Sequence, residues 1–198
     1  MSYYLRRLPA LAVLCLIAAA SAFAGEAMVA NPYYKFWASS KPGATAVHTE
    51  KTKLSGPEGK QLPGGVDEKK IVYKFLQVDK DKVVVEMVVT ERDFLGFVQA
   101  APTRFIYPAM IEKSRLERVY VEKGSKGGQE TIKVGGKELK CKTVSGTIEE
   151  PGGDQIEFKL WLSDDVPGKI VKHVRIDRHK GAAIAETTTT LESYKKAE

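Results

Sequence analysis

Cysteine and histidine are scarce in this chain, with two cysteines and three histidines among 198 residues. Cys15 lies in the leading apolar segment and leaves with it if that segment is removed, so Cys141 then has no partner and disulfides cannot hold the fold. Stability must come from a hydrophobic core. His48, His173 and His179 show no metal-ligand spacing with each other or with the cysteines. No serine stands in the G-x-S-x-G pattern of a hydrolase nucleophile. The glycine-rich run Gly124-Ser125-Lys126-Gly127-Gly128 lacks the P-loop pattern that cradles phosphate. No metal, no cofactor and no enzymatic activity is expected from these residues. Cys141, two residues after Leu139, reads as a small core hydrophobe, and His173 and His179 read as solvated surface. The acidic pairs Asp164-Asp165 and Glu149-Glu150 adjoin Pro and Gly and read as turn chemistry.

A strong charge of one sign is also lacking. The first 24 residues carry two of the 31 basic residues and none of the 25 acidic ones, which leaves +4 on the remainder. That is too mild for a nucleic-acid binder, and no aromatic residues interleave with the basic ones. Lys133, Lys137, Lys140 and Lys142 could form a stripe facing an anionic envelope surface. The plainer alternative is a solvated outer sheet face, where lysine also discourages edge-to-edge pairing.

What is present begins with the leader. Arg6 and Arg7 precede an apolar run from Leu8 to Ala20, and Ala22-Phe23-Ala24 supplies small residues for a peptidase. These are the parts of a secretory signal peptide, expected over residues 1–24, with a retained membrane anchor as the alternative. Residues 25–198 are then expected to form one exported, periplasmic or extracellular domain, with no later segment apolar for long enough to span a membrane.

The remainder alternates strand and turn signals. Asn31-Pro32 before Tyr33-Tyr34-Lys35-Phe36-Trp37 predicts a short helix, with Asn as its N-cap and Pro in its first turn. Residues 54–67 are dense in Gly and Pro and read as a mobile surface loop. Lys70 to Val78 and Lys82 to Thr90 predict a hairpin about Asp79-Lys80-Asp81, with Val83, Val85, Met87 and Val89 on the core face. Strands are expected over Leu116 to Glu122, Leu139 to Glu149, Gln155 to Ser163, Ile170 to Asp177 and Ala182 to Tyr194. Turns are expected at 124–128, Gly135-Gly136, 151–154 and 179–181, and Gly135-Gly136 has the composition of a two-residue hairpin loop. Arg92 to Arg115 keeps no period and carries Pro102 and Pro108, so it reads as a covering loop with a helical turn.

The run from Trp161 to Lys172, with Ile132 to Cys141 upstream and the Asn31-Pro32 aromatic cluster, resembles small secreted planctomycete-type bacterial proteins whose function is uncharacterised. The strand plan is also similar to the open half-barrel of periplasmic lipoprotein carriers of the LolA/LolB type. That resemblance implies a curved sheet wrapping a helix-plugged apolar cavity.

The expected fold is mainly β: one curved antiparallel sheet of roughly eight to eleven strands, an open half-barrel with a short N-terminal helix and a covering segment. The expected function is non-catalytic binding of an apolar or amphipathic ligand, such as a lipid, in the concave sheet. Its expected lining is Tyr73, Phe75, Val85, Met87, Phe158, Leu160 and Leu162, with Phe97 and Phe105 from the cover. The alternative is an envelope structural or protein-interaction module with a filled core.

Overall fold

The computed structural model describes residues 26–56, 61–93, 96–118, 123–150 and 152–198. The expected signal peptide lies outside them. The protein is mainly β. Its ten-stranded antiparallel sheet is open, with strand order β5-β4-β3-β2-β12-β11-β10-β9-β8 and β6 also pairing with β4. The strands are β2 (Thr45–Ser55), β3 (Gln61–Val78), β4 (Lys82–Asp93), β5 (Gly96–Gln99), β6 (Thr103–Pro108), β8 (Ser125–Val134), β9 (Lys137–Glu149), β10 (Gln155–Leu162), β11 (Ile170–His179) and β12 (Ala182–Lys195). A two-stranded sheet pairs β1 (Met28–Ala30) with β7 (Met110–Glu112). A helix, α1 (Pro32–Ala38), lies between β1 and β2. No helix among the described residues is long and apolar enough to cross a membrane.

Two meanders build the large sheet, one from β2 to β6 and one from β8 to β12. They are joined where β12 inserts between β11 and β2. Turn chemistry sets the local pairings. Gly135 and Gly136 take φ of 56° and 81°, and Lys180 and Gly181 take 49° and 83°, the left-handed values that a two-residue hairpin requires. At the β3–β4 turn the Asp79 carboxylate accepts from the backbone N–H groups of Asp81 and Lys82, both at 2.9 Å. These two bonds hold its carboxyl below the ordinary range.

Four segments differ from the sequence reading. Residues 54–67 were expected as a loop, but β2 and β3 extend into them as one long hairpin, with residues 57–60 outside the described residues. The register steps from Lys53 opposite Val66 to Ser55 opposite Gln61, so the Pro63 and Gly64-Gly65 run occupies an irregularity in the ladder.

The described residues of 92–115, expected as a covering loop, are largely strand. β5 and β6 add to the free edge of β4, and Pro108 ends β6, a place where proline costs the ladder nothing. Lys113–Arg118 is a 3-10 turn where the start of a strand was expected, and residues 119–122 are outside the described residues. Ser125 to Gly128 belongs to β8, and the register shift between Lys126 and Gln129 absorbs its glycines. The flexibility of glycine is used here for close approach: a Cβ on Gly124 would stand 2.3 Å from Val144 Cγ1 and 3.1 Å from Phe158 Cε2.

Three hydrophobic clusters hold the sheet. Leu139, Cys141, Trp161, Val171 and Leu191 join β9 through β12 to Ala46 of β2 and Val134 of β8. Val134 and Leu191 lie on strands that do not pair, so the sheet curls toward itself across this half. Cys141 is buried there as a small hydrophobe, and burial pushes its thiol up. Phe158 and Leu160 pack with Val144, Ile148 and Leu162 as a second cluster. The third lies beneath α1, where Trp37 stacks on Phe75 over Val83 and Val85.

Candidate ligand cavity

The helix is pinned by its own cap. Asn31 Oδ1 accepts from the Tyr33 backbone N–H at 3.0 Å, and Asn31 Nδ2 donates to the Pro108 carbonyl at 2.8 Å. Pro32 occupies the first turn, as the sequence indicated. Tyr34 Oη donates to the Asp79 carbonyl at 2.8 Å, tying the helix to the β3–β4 turn. Trp37 rests on the β10–β11 loop at Gly168, where φ is +75° and a Cβ would stand 2.5 Å from Trp37 Cζ2. Only glycine meets both conditions at that position.

Between α1 and the sheet lies a cavity of ≈ 220 Å³. The helix contributes Tyr33, Phe36 and Trp37, while Tyr73 of β3 and Tyr107 of β6 complete the aromatic walls. The polar wall comes from central strands: His48 and Glu50 of β2, His173 of β11 and Thr189 of β12. Spacing explains that grouping, because His48 and Glu50 are two apart on one face of β2, and Thr189 stands opposite both Glu50 and His173. Pro167, Gly168 and Ile170 close the side toward the β10–β11 loop.

The rings make contact. Trp37 and Tyr73 are 6.1 Å apart between centroids, Tyr33 and Tyr107 are 5.6 Å apart, and His48 meets Tyr73 edge-on at 5.6 Å. Thr189 Oγ1 donates to Glu50 Oε2 at 3.2 Å. Burial raises the Tyr73 phenol to about 12, with Tyr107 and Glu50 adding to the shift. Tyr107 is raised for the same first reason. Both phenols are therefore uncharged at neutral pH.

The two cavity histidines are neutral as well. His48 Nε2 donates to the Ile170 carbonyl at 2.9 Å, which makes Nδ1 the unprotonated ring nitrogen. Nδ1 is buried with no hydrogen-bond partner among the described residues, so a proton there would be an unpaired buried donor. Burial accordingly lowers the His48 pKa. Burial, with help from the Arg175 charge, lowers His173 to about 4. His173 thus departs from the solvated position expected of it: its strand runs through the middle of the sheet and its ring turns to the cavity wall. His179 is exposed and lies 2.7 Å from the Asp154 carboxylate.

The residues expected to line a ligand site fall into different places. Tyr73 lines the cavity. Phe75 and Val85 lie fully buried under Trp37, and Met87 is half-buried opposite Tyr73. Phe105 is half-buried and stacks on Tyr107 at 6.2 Å. Phe97 is 76% exposed on the edge strand β5. Phe158, Leu160 and Leu162 pack in the separate cluster with Val144.

Elsewhere, Asp164 pairs with Lys169 at 2.7 Å and Asp165 with Lys196 at 3.1 Å, within and beside a turn. Lys133, Lys137, Lys140 and Lys142 are exposed, and Lys133 lies 3.6 Å from Glu138. A wider depression of ≈ 610 Å³ lies by the start of α1 and Ile111, Glu112 and Arg115, but it is more open and Arg115 is already paired with Glu112. Among the described residues no group of His, Cys, Asp or Glu has the arrangement to hold a metal.

Fold and cavity together describe an open antiparallel sheet with a capped helix closing an aromatic-walled hollow where its two halves meet. No family model matches the sequence, and no curated protein matches it. Among solved structures the chain is similar to a DUF1329 family protein from Desulfovibrio piger, with 10% identity, covering 96% of this chain and 94% of that chain at a TM-score of 0.20. A likeness that loose carries nothing about the contents of the cavity.

Proposed function

We propose that the protein is an exported, non-catalytic binder that holds one end of a small apolar or amphipathic ligand between α1 and the sheet. The observation that supports this reading is the cavity of ≈ 220 Å³, walled by five aromatic rings and floored by a few polar groups. Sparse polar groups in an apolar hollow are the usual composition of a small-molecule site. Its size lies below the ~300–1,000 Å³ of drug-sized sites, so a whole lipid does not fit and a long ligand must leave its remainder outside. The lipoprotein-carrier resemblance contributes a fold plan and no function of its own.

A thermal-shift series tests the reading directly. Short amphiphiles and free headgroup analogues are expected to raise the melting temperature in a saturable way. Thr189→Phe, which fills the hollow, is expected to abolish the shift. A melting temperature unmoved by every fatty acid, phospholipid and headgroup analogue would favour the alternative, a structural or interaction module. The exposed Phe97, Val98 and Ile106 on edge strands β5 and β6 are the surface such a module would use.

A further inference from the structure

The chain carries a formal charge of +6, yet the cavity wall has one carboxylate, Glu50, and no lysine or arginine. Glu50 accepts one hydrogen bond, from Thr189, and has no ion-pair partner among the described residues. Around it stand Tyr33, Phe36, Trp37, Tyr73 and Tyr107, whose ring faces carry the negative side of the aromatic quadrupole. The two basic groups of the wall, His48 and His173, are neutral and offer a cation no repulsion.

We infer that the cavity is an aromatic cage for an organic ammonium ion, with Glu50 as its counter-charge and the rings of Trp37, Tyr73 and Tyr107 as its walls. The inference rests on the binding reading above and narrows it to a ligand whose buried end is a methylated or otherwise apolar ammonium. Such ions are weakly hydrated, so aromatic faces replace their water at little cost while the carboxylate supplies the charge. A fatty acid, whose buried end would be anionic, meets Glu50 as a like charge and is excluded. The volume of ≈ 220 Å³ holds a trimethylammonium group and a few further atoms, leaving any tail outside.

The test is calorimetric titration of the full chain with choline, with its uncharged isostere 3,3-dimethylbutan-1-ol, and with hexadecylphosphocholine. Choline is expected to bind at least about tenfold more tightly than the isostere, and Glu50→Gln is expected to cut that advantage several-fold, leaving the share the rings supply. Tyr107→Leu keeps the bulk but removes a ring face, and is expected to weaken choline several-fold more than the isostere. Equal binding of choline and isostere, or a choline preference undiminished by Glu50→Gln, would overturn the assignment of a cage with Glu50 as counter-charge and leave the binding reading standing. Binding of none of the three would overturn both. Tighter binding of hexadecylphosphocholine than of choline identifies the headgroup of an amphiphile as the source. Equal affinity for the two identifies a free ammonium solute, which keeps the cage and ends the amphiphile reading.

Discussion

The two halves of the sheet are built from similar antiparallel meanders but treat their apolar faces differently. In the β8–β12 half the space is filled from within: Phe158 and Leu160 pack on Val144, and Trp161 is buried in the cluster with Cys141 and Val171, the ammonium groups of Lys159 and Lys172 standing 4.5 and 5.0 Å from its ring centroid. Trp161 Nε1 donates to Glu130 at 2.6 Å, so even its polar atom is satisfied. The β2–β6 half is instead closed by a seven-residue helix, which is too short to seat every ring against the sheet. A filled layer needs side chains that interdigitate, whereas a capped layer can keep a hollow.

This contrast can be broken in several ways. The largest expected effect is Phe158→Ala: the ring lies against glycines, with a Cβ on Gly146 falling 3.0 Å from Phe158 Cζ, so the vacated space cannot easily be refilled. A loss of about 3–5 kcal/mol in denaturant unfolding is expected, with ligand affinity of the folded fraction unchanged. A loss below about 1 kcal/mol would mean that this half is not packed as described.

Acid should separate the cavity wall from the packed clusters next. His173 titrates at about 4 in the folded chain and near its ordinary 6.5 when unfolded, so the unfolded state takes up the proton first. Stability is therefore full above pH 6.5 and falls as pH drops from there toward 4, by on the order of 3 kcal/mol. His48 adds to the fall in the same direction. The Glu130 and Asp164 carboxyls, which do not line the cavity, are also held low, by Lys159 and Lys169 respectively, but their contributions are lost only below the ordinary carboxylate range. Unfolding curves of His173→Gln should lose most of the upper window and keep the lower one; an unchanged upper window would refute the assignment.

Asn31→Ala removes the N-cap and the bond to the Pro108 carbonyl. The expected cost is about 1–2 kcal/mol, together with a change in Trp37 fluorescence as the helix loosens. The smallest effect belongs to Lys133→Ala, an exposed cation 3.6 Å from Glu138, expected to change stability by less than about 0.5 kcal/mol.

The β8–β12 half was the more legible in the sequence. Alternation in Gln155 to Leu162 and the Gly135-Gly136 pair specify strands and turn locally, and the structure has both. The α1 cap was equally plain, since Asn31-Pro32 acts within a few residues. Pro and Gly misled at 54–67 and 124–128, because a ladder irregularity and a close backbone approach use the same residues as a loop. Most of the polar cavity wall stayed hidden for a different reason. β2, Thr45-Ala46-Val47-His48-Thr49-Glu50, has few large apolar residues and gives a weak strand signal, yet it sits at the centre of the sheet. Reading it as a strand would have put Ala46, His48 and Glu50 on one face. Their meeting with His173 and Thr189 depends on β12 pairing with β2 across the whole chain, and no local pattern encodes that.

Native mass spectrometry of the protein purified gently from cells tests the central claim most directly. A hollow that carries a ligand predicts a discrete added mass, released on unfolding and missing from Thr189→Phe. A bare mass for the wild-type chain, unchanged after incubation with choline and hexadecylphosphocholine, would contradict it.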